Sequence, residues 1–146
     1  MRLADGSGLK LIDFEYAAPL DPAYDIANHF NEWMYPYLEP EPHLYDEALY
    51  PTPHEQAHFC RAYLEGGGDS GGAAGESAVA ALVAEVNSRR RDSHAYWVDW
   101  AARMQPRTAF NEAYGLARRQ LLERGTREAA DEQLLGANSR ETGVHT

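Results

Sequence analysis

Residues 9–33, LKLIDFEYAAPLDPAYDIANHFNEW, constrain this chain more than any other stretch. Three physical parts follow one another in it. Leu9, Leu11, Ile12 and Phe14 around Lys10 make a short apolar run of the length of a buried strand. Asp13 and Glu15 interrupt it, and carboxylates at a strand end are costly to bury unless a cation or hydrogen bonds meet them. Asp21-Pro22 then reads as an N-cap and a first helical position. The helix it starts is predicted to reach Tyr37, with Ile26, Phe30, Trp33 and Tyr37 on one face and Asp25, His29 and Glu32 along a second stripe. An acid at a strand end, a turn and a helix with acids of its own make a candidate cation site.

The bulk properties bound the partners. With 146 residues the chain is about one domain and can bury a real core. Its net charge of -10 argues against nucleic acid or an anionic membrane surface and suits a cationic ligand or a metal ion, although a solvated acidic surface explains the charge equally well. Cys60 is the only cysteine, so no intrachain disulfide can form and a reducing, cytoplasmic compartment is expected. No apolar run reaches the roughly 18 residues of a membrane span, so no membrane insertion is expected.

Along the chain the pattern is mostly helical. Asp5-Gly6 is a hairpin signal before the residue-9 strand, which leaves a small N-terminal β element in an otherwise α chain. Pro36, Pro40, Pro42, Pro51 and Pro53 forbid a long helix after the first, while Tyr35, Tyr37, Tyr45 and Tyr50 predict an ordered loop packed on the body. Thr52-Pro53-His54-Glu55 is a capping box for a helix ending at Gly66, with Ala57, Cys60 and Leu64 inward. The glycine-rich residues 66–76 read as a flexible loop. Helical spacing returns with Val79, Leu82, Val83 and Val86, passes a solvated Arg89–Arg91 run, and continues through Trp97, Trp100, Ala101 and Met104 to Pro106. Thr108 caps a last helix with Phe110, Tyr114, Ala117 and Leu121 inward and a predicted stop at Gly125. Residues 126–146, polar and without aromatics, are expected to be a disordered tail.

Two short motifs compete for chemistry. His54-Glu55-Gln56-Ala57-His58 spells HExxH, a zinc-hydrolase pattern in which two histidines share a metal and the glutamate is the base. It sits in a first helical turn behind Pro53, and the capping box already accounts for Glu55, so the capping reading is preferred. Cys60, on an inner helical stripe, reads as a packed side chain rather than a nucleophile.

LIDFEY followed by DIANHFNEW resembles the choline/ethanolamine kinase family, and SHAYW and the segment PTPHEQAHFCRAYL extend the likeness to about Arg124. The resemblance implies a protein-kinase-like α+β fold, of which this chain, over residues 1–125, is a fragment of the C-terminal lobe. It implies Mg²⁺- and ATP-dependent phosphorylation of the hydroxyl of choline or ethanolamine, in the synthesis of phosphatidylcholine or phosphatidylethanolamine. Asp13, and second to it Glu15, then become the metal carboxylates. Tyr16, Glu32, Tyr37, Trp97, Trp100 and Tyr114 become the pocket for the substrate's ammonium group. A quaternary ammonium cannot donate an N–H hydrogen bond, so aromatic faces and a nearby carboxylate must hold it. Asp25, Asn28 and His29 become supports for the site.

The sequence departs from the family in three places: Arg89–Arg91, the turn AAPLDPAY, and a shortened connection from Trp100 to Tyr114. It also contains no HxDxxxxN catalytic loop, and Lys10 is its only lysine. No residue here is therefore expected to act as the general base, which the family reading places upstream of Met1. The chain is expected to be inactive alone and to expose an association surface where the other lobe would dock. A non-catalytic fragment that binds amines or a partner is the competing expectation.

Overall fold

A computed structural model describes residues 6, 8, 10, 12, 14–37, 40–66, 73–104 and 106–141, with 134–141 described by backbone alone. It is mainly helical, and no strand is present among the described residues. Leu9, Leu11 and Asp13, on which the expected β element depends, lie outside them, as do Met1 to Asp5, its hairpin partner. Ile12 and Phe14 are exposed rather than buried in a sheet. A strand needs hydrogen-bonding neighbours, and the described part of this chain offers none.

Four α-helices make the body: α1 Pro22–Glu32, α2 Pro53–Gly66, α3 Glu76–Arg103 and α4 Ala109–Glu141. Asp21 caps α1 through its carboxylate, which accepts the Ala23 N–H at 3.0 Å, and Pro22 follows at the first helical position. The helix stops at Glu32, before the predicted Tyr37. Pro36 disfavours helical backbone at Tyr35, and the last turn tightens through Met34 N–H to Asn31 O and Tyr35 N–H to Glu32 O. Tyr37 then adopts φ of 52°, a left-handed conformation uncommon for a bulky residue. Ile26 and Phe30 are buried as the helical face requires, whereas Trp33 is largely exposed.

Helix α2 begins with the capping box. Glu55 Oε2 accepts from the Thr52 N–H and hydroxyl, both at 2.8 Å, and Thr52 Oγ1 accepts from the Glu55 N–H. These bonds hold the Glu55 carboxyl below its ordinary pKa.

Helix α3 is the axis on which the others pack: α1, α2 and α4 all lie against it. Its 28 residues span about 42 Å at 1.5 Å per residue, enough to serve two cores. Toward its N-terminus, Val79 and Val86 close over Ile26, Phe30 and Cys60, with Phe59, Leu64, Leu82 and Val83 around them. Cys60 is fully buried, and burial raises its thiol pKa, which suits packing. Toward its C-terminus, Trp97 and Trp100 pack on Met34, Tyr35, Tyr114 and Leu121. The loop from Tyr35 to Thr52 is anchored over this second core by Asp46 N–H to Met34 O at 2.8 Å, with Tyr45 and Tyr50 half-buried. At the crossing of α3 and α4, a Cβ on Gly115 would stand 2.7 Å from Ala101 Cβ, so glycine there is what lets the helices meet.

Two further expectations need correction. The Arg89–Arg91 run is not simply solvated. Arg89 bridges Asp21 and Asp92, and Arg90 lies 3.8 Å over the Tyr50 ring while donating to Asn31 Oδ1. Helix α4 does not end at Gly125 but continues to Glu141, so residues 126–141 are helical rather than a disordered tail. Glycine is tolerated there because its bare Cα faces the Arg91 stem, 3.3 Å from where a Cβ would sit. Arg124 spans the site, pairing with Glu47 on one side and Glu128 on the other. Of the predicted glycine-rich loop, 67–72 lie outside the described residues. No helix among the described residues is long and apolar enough to cross a membrane.

Candidate functional site: an aromatic box around a buried arginine

Six side chains far apart in sequence meet where the C-terminal end of α1, the last third of α3 and the start of α4 converge. Trp97 and Trp100, three apart on α3, project from one face with ring centroids 5.4 Å apart. Tyr114 of α4 meets both rings edge-on, at 6.2 and 6.1 Å. Tyr16 closes from the N-terminal turn, edge-on to Trp97 at 5.8 Å and accepting the Trp100 indole N–H at 2.9 Å. Glu32 ends α1, and the Tyr37 hydroxyl donates to its Oε2 at 2.5 Å. The sequence-predicted set of Tyr16, Glu32, Tyr37, Trp97, Trp100 and Tyr114 thus forms one connected network.

A residue that the sequence reading missed sits at its centre. Arg118 of α4 is fully buried. Its guanidinium donates to Glu32 Oε1 and, through Nε and Nη2, to the Tyr114 hydroxyl oxygen at 2.9 and 2.6 Å. It lies 4.5 Å over the Tyr35 ring and 5.0 Å over that of Tyr114. Burial opposes its charge, but Glu32 and the tyrosines more than offset this, and its pKa rises above the ordinary value. A buried cation with hydrogen bonds and π faces on several sides is the arrangement that makes burying it tolerable. The signal in the sequence was Arg118, first of the Arg118-Arg119 pair and four residues after Tyr114, beside the inward stripe, on a chain that needed a partner for Glu32.

The remaining contacts stiffen the walls. Asn28 Oδ1 accepts from Ser93 Oγ at 2.9 Å and from Trp97 Nε1 at 2.6 Å, fixing the Trp97 ring against α1. Arg118 Nη1 lies 3.2 Å from His94 Nδ1. A guanidinium only donates, so Nδ1 is the acceptor and the proton sits on Nε2. Burial and the surrounding Arg118, Arg90 and Arg124 push the His94 pKa down to about 3, so the ring stays neutral. Burial likewise pushes the Tyr114 phenol up to about 12 and raises that of Tyr37, the latter with help from Glu32, so both keep their protons. The Tyr35 hydroxyl is buried without a hydrogen-bond partner among the described atoms. His29 supports the outer side of α1, accepting the Trp33 indole N–H at 3.2 Å and packing on Phe59.

Tyr16 and Trp97 also wall an open cleft of about 800 Å³ that runs over Leu20, Tyr24 and Tyr96. Asp21, Asp25 and Asp92 line the same cleft, and Arg89 pairs with the first and last of these. Of the predicted metal ligands, Asp13 lies outside the described residues, and Glu15 is exposed on the turn before Tyr16. Among the described residues no three His, Cys, Asp or Glu side chains are grouped to hold a metal ion. What the box itself can do is clear from its parts. It offers the half-exposed rings of Tyr16 and Tyr37 and the partly exposed rings of Trp97 and Trp100 near a carboxylate that Arg118 already pairs, and aromatic faces of this kind attract organic cations.

Comparisons with known proteins bear on the kinship of the chain. The family profile for choline/ethanolamine kinase matches residues 1–119. A protein named probable ethanolamine kinase from Arabidopsis thaliana is 37% identical over 101 residues, covering 67% of this chain and 25% of its own. One named probable choline kinase 1, from the same plant, is 35% identical over 94 residues, covering 64% of this chain and 26% of its own. A human protein named choline/ethanolamine kinase is 33% identical over 102 residues, covering 66% and 26%. The chain thus spans about a quarter of the length of these curated relatives. No solved structure matches at a significant level. A profile match over most of the chain, with relatives of the same description, decides its kinship: the chain belongs to the choline/ethanolamine kinase family.

Proposed function

We propose that this chain forms the ammonium-binding part of a cytoplasmic choline/ethanolamine kinase-type phosphotransferase. The observation that carries the reading is the box. Tyr16, Tyr37, Trp97, Trp100 and Tyr114, drawn from four separate segments, join one network with Glu32, which Tyr37 reaches directly and Tyr114 through Arg118. The kinship supplies the chemistry: a 2-hydroxyethyl ammonium whose hydroxyl accepts the γ-phosphoryl group of ATP. In this reading the chain's own residues hold the ammonium end and orient the hydroxyl away from the box. Asp13 is the carboxylate the sequence offers to Mg²⁺. A general base and a nucleotide-covering lobe have to come from another segment, because no HxDxxxxN loop occurs in these 146 residues. The chain alone then binds amine without phosphorylating it.

The test is a titration of the chain with choline followed by tryptophan fluorescence. Saturable quenching is expected from the wild type. Trp100→Leu, which leaves Trp97 as reporter, and Tyr16→Leu each remove one π face and should weaken binding about tenfold, the order of one desolvated cation–π contact. Unchanged affinity in both variants would place the ligand outside the box.

A further inference from the structure

We propose that a second cleft, between the middle of α3 and the part of α4 after Leu121, binds a phosphate group. The cleft encloses about 480 Å³ and shares no lining residue with the one over Tyr16 and Trp97. It is built where this chain departs from its relatives. Its α3 wall carries Arg90 and Arg91, from the run in which the sequence leaves the family pattern. Its α4 wall, Leu121 to Glu132, lies beyond residue 119, where the family profile ends. Three arginines and three glutamates line it, so pairing decides the sign of the field. Arg124 pairs with Glu47 at 2.5 Å and lies 3.8 Å from Glu128, so one guanidinium engages both carboxylates. Arg90 donates to two neutral acceptors, Asn31 Oδ1 and the Met34 sulfur, and lies over the Tyr50 ring. Arg91 is exposed, packs its stem against Gly125, and has no ion pair among the described residues. Against these two cations stands Glu132 alone.

His94 points to the same ligand independently. Its ring is 2% exposed and lines this cleft. Nδ1 accepts from Arg118, so the proton sits on Nε2, and that N–H has no acceptor among the described residues. A buried donor without an acceptor is costly, and a ligand oxygen in the cleft satisfies it. Burial together with Arg118, Arg90 and Arg124 holds the ring neutral, and the share of that effect due to the arginines reports a positive field at the cleft floor. Two guanidinium groups and a neutral N–H donate and cannot accept. A tetrahedral oxyanion, with several free oxygens, matches such a set. The chain's net charge of -10 repels an anionic bilayer, which favours a soluble phosphate over a lipid headgroup.

Calorimetric titration of the full chain with inorganic phosphate, with chloride balancing the ionic strength, tests this. Saturable binding is expected. Arg91→Gln should weaken it about tenfold, the order of one charge-assisted hydrogen bond. Glutamine keeps much of the stem that packs on Gly125, and the residue is exposed, so the fold is expected to survive. Glu132→Gln, which removes the opposing acid, should tighten binding about two- to threefold. Glycerol 3-phosphate and vesicles containing phosphatidic acid distinguish the sources. Binding of the soluble ester at least as tight as that of phosphate assigns the cleft to a phosphate monoester, and weaker binding assigns it to free phosphate. Binding to the vesicles alone overturns the proposal, as does the absence of saturable phosphate binding. Phosphate affinity unchanged in both variants overturns it too. All these results leave choline binding at the box unaffected, so this proposal and the ammonium reading fail separately.

Discussion

Arg118→Met is expected to destabilise the chain by about 3 kcal/mol, the largest effect of any single substitution near the box. The substitution keeps a long apolar side chain, so lost volume is not the cause. What goes is the partner of Glu32, two donors to the Tyr114 oxygen, and the cation over the Tyr35 and Tyr114 rings. The Glu32 side chain retains 29% exposure, which places the cost toward the lower end of the usual range for breaking a buried pair. Urea unfolding measures it directly. The double variant Arg118→Met with Glu32→Gln should recover part of the loss, because it removes the stranded carboxylate as well. A single-variant effect under about 1 kcal/mol would mean the clamp contributes little.

Acid is expected to act almost as strongly, through His94. Its ring is buried, it accepts from Arg118, and its pKa is pushed down to about 3 by burial and by the neighbouring arginines. In the unfolded chain the same group titrates near its ordinary value of 6.5. Between those values the unfolded state binds the proton that the folded state refuses, so stability is full above about pH 6.5 and falls as the pH drops toward 3. The slope is about 1.4 kcal/mol per pH unit, or roughly 2–3 kcal/mol by pH 4.5. Unfolding midpoints measured from pH 7 to 4.5 should show this fall, and His94→Gln, which cannot titrate, should flatten it. An unaltered slope in that variant would assign the acid sensitivity to other groups.

What was legible in the sequence was local chemistry. Asp21-Pro22 and the Thr52–Glu55 box declared helix starts because each satisfies orphan N–H groups with side chains only a few residues away. The Val79–Val86 stripe and the Tyr114–Leu121 stripe named buried faces by spacing alone. The early end of α1 was readable in Pro36 but was outweighed by the apparent periodicity of Trp33 and Tyr37. The passage of α4 through Gly125 was not readable, because the Arg91 stem it packs against belongs to another helix. The least legible feature was the most consequential. Arg118 and Glu32 are 86 residues apart, and neither has a local pattern that requires the other. The resemblance pointed to the aromatic rings and the carboxylate, but only the packing of α1 and α4 on α3 shows a resident cation among them.

That resident cation sharpens the central question of whether the box holds a charged ligand. Calorimetric titration with choline and with 3,3-dimethyl-1-butanol, its neutral carbon isostere, answers it most directly. The two share shape and hydroxyl and differ in charge. The ammonium reading predicts saturable choline binding, with the isostere weaker by about tenfold or more, as expected of a site that works through cation–π contacts and a carboxylate. Equal binding of the two, or tighter binding of the isostere, would show an apolar pocket indifferent to charge and would contradict it.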